Sequence, residues 1–325
     1  MKKKLLTIVA IMILVLSLVG VFVGCTQGED KNQDKTNEYV YGEFAYQMLY
    51  DFNNGFPKRQ AGTVGEKMAG EFILKNFKDF GYDNTIVQDF TYSENKKSQN
   101  IIATKKAQTE TNKNIVIGAH YDSVSAGNGV DDNASGVAVM METAKYIFDK
   151  DTNYNIIFVA FGAEEVGLQG SKAYVNNLSE QDIKNIELMI NLDTLACGDN
   201  MYVYGGNDQK SQALLDKVLK YSSDEKLNIS TQQGKNPEYP AGTTGDWSDH
   251  APFKAKGISV LYYEATNWDI GDMDGYSQVK GEFGEYTIMH SQFDTLDYIE
   301  TMFPGRAEAH MKSFATSLIN TVLTF

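Results

Sequence analysis

The chain has 325 residues, 42% of them hydrophobic and 22% charged, which is ample for a sizeable core. A formal charge of −14 argues against nucleic-acid binding, which needs a basic surface, and against electrostatic attraction to an anionic membrane. With two cysteines, Cys25 and Cys197, the chain offers at most one disulfide.

The first segment, "MKKKLLTIVAIMILVLSLVGVFVGC", sets three lysines before a long apolar run and ends on Gly24 and Cys25. That is the layout of an export signal. It resembles a bacterial lipoprotein signal, in which a small residue and a lipid-bearing cysteine close the motif, although Phe22 stands where leucine is usual. The run is also long enough to span a bilayer, so an uncleaved anchor is the alternative. Either way the body is expected outside the cytoplasmic membrane, lipid-anchored through Cys25 on the extracellular face in the first case. Cys197 would then lack a partner, and the charge falls to −17 once Lys2, Lys3 and Lys4 are removed. The resulting division is a signal peptide at 1–24, a flexible polar tether at 25–37 and one domain over 38–325.

"EYVYGEFAYQMLYDF" and "VGEKMAGEFILKNFKDFGY" carry apolar residues at helical spacing, the second stopped by Gly81. "TIVQDFTY" and "NIIATKK" read as strands around a polar turn. "NIVIGAHYD" reads as a buried strand, followed by a helix in "NASGVAVMMETAKYIFDKD" with an apolar face at Val137, Met141, Ala144 and Phe148. "YNIIFVAFG" and "IELMINLDTLA" are further buried strands, with a helix in "LQGSKAYVNNL" between them. "MYVYGG", the helical "SQALLDKVLKYSS", "ISVLYYEA" and the closing helix "GRAEAHMKSFATSLINTVLTF" complete the pattern. Apolar strands alternating with helices predict an α/β fold, a three-layer α/β/α sandwich around a mixed, mostly parallel sheet. Ligand sites in such sheets lie beyond the carboxyl ends of the strands.

Those ends carry the chemistry. His120 and Asp122 follow the first buried strand, Glu164 and Glu165 the second, and Asp193 closes the third. Asp131 and Asp132 precede a helix, and His290 lies near the C-terminus. Crowded carboxylates raise one another's proton affinity. A cation relieves this, and imidazole with carboxylate suits zinc. Taken alone, Glu164 and Glu165 could instead mark the solvated start of a helix.

"GAHYDS", "GVDDNASGVA", "FGAEEVGLQGS", "NLD", "SDHAPF" and "HSQFDT" occur in the order seen in the M28 zinc peptidases, and the chain resembles that family over roughly residues 45–325. The resemblance implies two zinc ions, one held by His120, Asp132 and Asp193, the other by Asp132, Glu165 and His290, with Asp132 bridging. It makes Glu164 the general base and has Asp122 orient His120. It also implies a cis peptide bond at Asp132–Asn133. Two Zn²⁺ bring +4, Asp132, Glu165 and Asp193 bring −3, and one bridging hydroxide would make that core neutral, which leaves Glu164 as the surplus carboxylate, free to take a proton.

Other readings of single residues stand beside this one. Asp131 could replace Asp132 as ligand, or serve as a solvated loop or supporting acid. Asp193 could be a structural acid, His250 could displace His290, and His310 reads as structural. The tyrosines of "LYYEATNW" and "DGYSQ" could line a pocket or simply pack. Met289 stands where some family aminopeptidases place an oxyanion-stabilising tyrosine, so that donor is unassigned. The expected function is a dizinc metallo-exopeptidase, an aminopeptidase acting on extracellular peptides. The alternatives are related amide chemistry (carboxypeptidase or glutaminyl cyclase-like) and a catalytically silent solute-binding lipoprotein.

Overall fold

A computed structural model describes residues 39–282 and 284–325. The signal, Cys25 and the tether read from the sequence lie outside the described residues. In chain order the elements are α1 Glu43–Gly55, α2 Val64–Asp79, β1 Ile86–Tyr92, β2 Lys96–Lys105, β3 Asn114–His120, α3 Ser135–Ile147, β4 Asn155–Phe161, α4 Gln169–Asn176, α5 Glu180–Asn185 and β5 Ile186–Leu192. Then come β6 Asn200–Gly205, α6 Gln209–Asp224, β7 Ile229–Ser230, α7 His250–Lys254, β8 Val260–Thr266, β9 Val279–Gly281, β10 Gly284–Tyr286, α8 Leu296–Met302 and α9 Arg306–Thr324. None of the described helices is long and apolar enough to cross a membrane.

Eight strands form one sheet in the order β1-β2-β4-β3-β5-β8-β6-β7. The central four, β4-β3-β5-β8, are parallel. β1, β2 and β6 join antiparallel on the flanks, so the sheet is mixed as expected. The side-chain period of two explains the continuous apolar runs of the central strands. Ile115, Ile117 and Ala119 of β3, with Ile156, Phe158 and Ala160 of β4, pack into the core that contains α1, α2, α3 and α9. Val116, Val159 and Phe161 point the other way, onto Tyr174 and Val175 of α4 and Phe253 of α7. Each face is thus roofed by helices, giving the three layers.

Two local expectations need correction. The helix after β3 has no single apolar face, because every residue from Ser135 to Ala144 is buried. It ends at Ile147, and Phe148 is 42% exposed. It is sandwiched by α1, α9 and the sheet rather than lying on the surface, so burial overrides the amphipathic pattern. The short strands β7, β9 and β10 are too brief to leave a pattern in the sequence.

β3 lies between β4 and β5. The chain leaves β3 toward one side and returns to the other, which opens a crevice at the carboxyl ends of β3 and β5. His120 closes β3, and Asp193 comes directly after β5.

Candidate metal centre

His120 Nε2 lies 3.1 Å from Asp132 Oδ1 and 3.4 Å from Asp193 Oδ1. His290 Nε2 lies 3.0 Å from Asp132 Oδ2 and 3.0 Å from Glu165 Oε2. Asp132 therefore presents one oxygen to each imidazole. Glu164 Oε2 is 4.0 Å from His120 Nε2. Asp122 Oδ1 is 3.5 Å from His120 Nδ1, on the far side of the ring. The seven residues to which the family resemblance gives a role are all brought together. Possible ligand atoms of His120, Glu164 and Asp193 lie within 4.8 Å of one another, as do those of His120, Asp132 and Glu165. His250 is elsewhere: its ring stacks on Tyr262 at 4.9 Å, and Nε2 meets Gly245 O at 2.9 Å.

The local chain explains why the two glutamates diverge. They do not begin a helix, since α4 starts only at Gln169. They come after Ala163, whose φ of 54° is left-handed and costs about 1 kcal/mol or more for a residue with a Cβ. Three acceptors hold that turn. Glu66 Oε1 accepts from Ala163 N at 2.9 Å. Asp122 accepts from Glu164 N at 2.9 Å and from Glu165 N at 3.2 Å. Asp122 thus positions both glutamates as well as facing His120, a task the sequence did not disclose. Glu66, buried at the start of α2, also accepts from Ser98 Oγ at 2.6 Å and Gly62 N at 2.6 Å.

A second frame holds Asp132. The segment Val130–Ala134 is a π-turn, and the Asp132–Asn133 peptide is cis, as the family resemblance implied. Asp294 accepts from the backbone N–H groups of Val130, Asp131 and Asp132 at 2.8, 2.6 and 3.2 Å. Asp131 is fully buried and not a solvated loop acid. Its oxygens accept from Ala196 N, Cys197 N and Gln278 Nε2 at 2.7, 2.9 and 2.6 Å, so its side chain is spent on these three donors. That is the physical reason Asp132, and not Asp131, faces the histidines. Gln278 Oε1 accepts from Ile288 N and Met289 N at 2.8 Å each, which ties the residues before His290 to the same frame. Arg59, buried completely, donates to the carbonyls of Tyr121, Phe56, Asn128 and Gly129. It clamps the loop after β3 to the π-turn. Asp294 lies in the quoted "HSQFDT", Arg59 in the segment leading into α2, and Glu66 in the first turn of α2. No spacing rule marks such distant supports.

The electrostatics fit a cation. Asp193 Oδ2 accepts from Ser248 Oγ at 2.7 Å, while its buried Oδ1, facing His120 Nε2, has no hydrogen-bond partner among the described residues. Two lone-pair donors pointed at each other need a proton or a metal ion between them. Burial alone would lower the proton affinity of His120, but Asp193, Glu164, Asp122 and Asp132 override it and hold its pKa well above the usual value. Bonds to Asp132 and Glu165 push His290 up to about 11. Burial would raise Asp132, yet the two histidines hold it below the usual carboxylate range. Nitrogen and oxygen donors paired this way match zinc's preferences.

The centre floors a cleft of about 440 Å³. Leu168, Tyr239, Trp247, Tyr262, Tyr276 and Met289 contribute to its walls. The tyrosine-rich run therefore divides: Tyr262 and Tyr276 line the cleft, and Tyr263 packs on Phe314 across the opposite face of the sheet.

Residues 100–315 match the sequence description of peptidase family M28. The chain is 31% identical over 298 residues to the alkaline phosphatase isozyme conversion protein of Escherichia coli (strain K12), covering 82% of this chain and 86% of that one. It is 37% identical over 171 residues to aminopeptidase YwaD of Bacillus subtilis (strain 168), covering 50% of this chain and 35% of that one. The solved structure of BSAP, a zinc aminopeptidase from Bacillus subtilis, superposes with a TM-score of 0.69 at 18% identity, over 86% of this chain and 95% of that one. The chain belongs to peptidase family M28 and is a zinc-dependent metallo-exopeptidase.

Proposed function

We propose that this chain is a dizinc aminopeptidase that removes N-terminal residues from peptides outside the cytoplasmic membrane. The observation that carries the reading is Asp132, whose two oxygens face two different imidazoles at 3.1 and 3.0 Å. His120, Asp132 and Asp193 would hold one zinc ion, and Asp132, Glu165 and His290 the other. Bound zinc supplies Lewis acidity, polarising the scissile carbonyl and making water acidic.

Glu164 is the base. Burial, followed by the nearby Asp249 and Asp193 carboxylates, raises its proton affinity well above the ordinary, against the opposing pull of His120. It accepts a proton as water adds to the carbonyl carbon. It returns that proton to the amine nitrogen as the C–N bond breaks. Asp122 keeps the Glu164 and Glu165 amides in register. Met289 at the cleft wall offers no hydroxyl, and the oxyanion donor is left to the metal centre or a loop tyrosine.

The same reading includes the N-terminal segment. Residues 1–24 act as the signal, Cys25 takes the lipid, 25–37 tether the enzyme, and 38–325 form one peptidase domain. The support is the motif ending at Cys25. Labelled fatty acid should be incorporated into the wild type and not into a Cys25→Ser variant, and an unlabelled wild type would reject the lipid.

A substrate panel tests the activity. Aminoacyl-p-nitroanilides should be cleaved, N-terminally blocked peptides resisted, and C-terminally blocked peptides accepted. Chelated protein should regain activity at two equivalents of zinc. Cleavage of N-blocked peptides from the carboxyl end would overturn the aminopeptidase assignment. Saturation at one equivalent would overturn the paired-ion assignment.

A further inference from the structure

Glu264 of β8 is a second acid in the cleft, used by none of the steps above. It is 4% exposed, yet it contributes to the cleft wall. β8 runs beside β5 with Tyr263 paired to Leu192, and Asp193 N donates to Tyr263 O at 3.1 Å. Glu264 therefore lies across from Asp193, about 5 Å away along the sheet, the ordinary spacing of neighbouring strands. Leu192 and Tyr263 both enter the core on the face covered by α1, α2, α3 and α9. Alternation turns Asp193 and Glu264 to the other face, into the cleft.

Its surroundings are aromatic. Tyr202, Tyr204, Tyr262 and Trp268 form one buried cluster, with Tyr239 packed against it. Tyr239 meets Trp247 and Trp268 edge-on at 5.6 and 5.4 Å. Tyr204 OH donates to Glu264 Oε2 at 2.8 Å, and Tyr262 OH to Oε1 at 3.2 Å. A carboxylate can accept about four hydrogen bonds, so each oxygen keeps room for another donor. No lysine or arginine forms a salt bridge with Glu264 among the described residues, and none lines the cleft. Burial pushes its carboxyl up to about 8. A buried acid facing a cleft without a cation costs stability, and an arriving cation removes that cost.

We propose that Glu264 selects a cationic side chain, guanidinium or ammonium, on the residue that is released. The proposal rests on the aminopeptidase reading. Aromatic walls suit this group, since a guanidinium stacks on Tyr and Trp faces while its N–H groups fork onto a carboxylate. The substrate's α-ammonium lies beside the scissile carbonyl and so beside the zinc ligands and Glu164, whereas Glu264, one strand further along the sheet on β8, is assigned to neither zinc nor base and is available to the side chain. The acidic chain, at −14 over its full sequence, also attracts cationic peptides.

The test compares arginine p-nitroanilide with citrulline p-nitroanilide, which has nearly the same shape but no charge, on the zinc-loaded full chain. The wild type should show kcat/KM at least tenfold higher for arginine, as expected for a charge-assisted hydrogen bond. In Glu264→Gln, which keeps the shape and an oxygen to accept from one of the two tyrosine hydroxyls, the arginine-to-citrulline ratio should fall close to one. A wild-type ratio near one overturns the proposal. So does a Gln variant that slows both substrates alike and keeps the ratio, the result expected of a merely structural acid or an α-ammonium ligand. The wild-type ratio decides even when the variant does not fold. Should neither anilide be cleaved, the aminopeptidase reading falls separately. Calorimetry with argininamide and citrullinamide then decides the pocket: at least tenfold tighter argininamide supports it, and equal binding overturns it.

Discussion

Asp294 is the residue whose removal should report most directly on how this site is built. It touches no predicted ligand side chain, yet three consecutive backbone N–H groups, those of Val130, Asp131 and Asp132, end on its two oxygens. Asp294→Ala orphans all three in a region where Val130 and Asp131 are fully buried. Each orphaned buried donor costs about 1–3 kcal/mol, and neighbouring losses are not additive, so about 4 kcal/mol is expected. That is a large part of the roughly 5–15 kcal/mol that holds a typical domain together. Asp294→Asn is the finer probe. Its remaining oxygen can serve Val130 and Asp131, which share Oδ1 at 2.8 and 2.6 Å, but its amide confronts the N–H of Asp132. About 2 kcal/mol should be lost, centred on the residue that faces both histidines. Urea unfolding with an unchanged m-value measures the loss, and zinc titration measures the site. If Asp294→Ala unfolds within about 1 kcal/mol of the wild type, Asp294 does not hold the turn and the reasoning fails.

Other variants separate neighbouring roles. Glu164→Gln should keep two zinc ions and the fold while turnover falls roughly 10²–10⁴-fold, because the amide cannot take a proton. Glu165→Gln should weaken zinc binding, an amide being a poor ligand, with activity partly restored by excess zinc. Metal analysis beside turnover checks both, and zinc loss from the Glu164 variant alone would reverse the assignment. His310 is buried beside Arg306 and bonds Leu195 O at 3.2 Å; burial and then Arg306 depress its pKa to about 4. The unfolded chain, with His near 6.5, binds the extra proton between those values, so stability should fall as pH drops from about 6.5 to 4. The loss should total about 3 kcal/mol, and His310→Gln should flatten that part of the pH–stability curve. An unchanged curve would mean that His310 does not titrate in this window.

Much of this protein is written locally. Period-two burial on both faces makes β3, β4 and β5 continuous apolar runs, and the residues just past each run must emerge at the edge where ligands bind. That alone collects His120, Glu164, Glu165 and Asp193, because a parallel strand fixes which end its last residue reaches. Asp132 and His290 came from motif order. Tertiary structure decided what each acid does. Asp131 and Asp132 are neighbours of the same chemistry, yet Asp131 is consumed by Ala196, Cys197 and Gln278 from distant segments, and only Asp132 is left to the histidines. Asp122, Glu66, Asp294 and Arg59 fix the site through backbone groups that any sequence possesses, and a hydrogen bond to a backbone amide leaves no mark on the residue that supplies it. Glu264 looks like any acid in a tyrosine-rich strand. Only the pairing of β8 with β5 sets it beside Asp193 and turns it into the cleft.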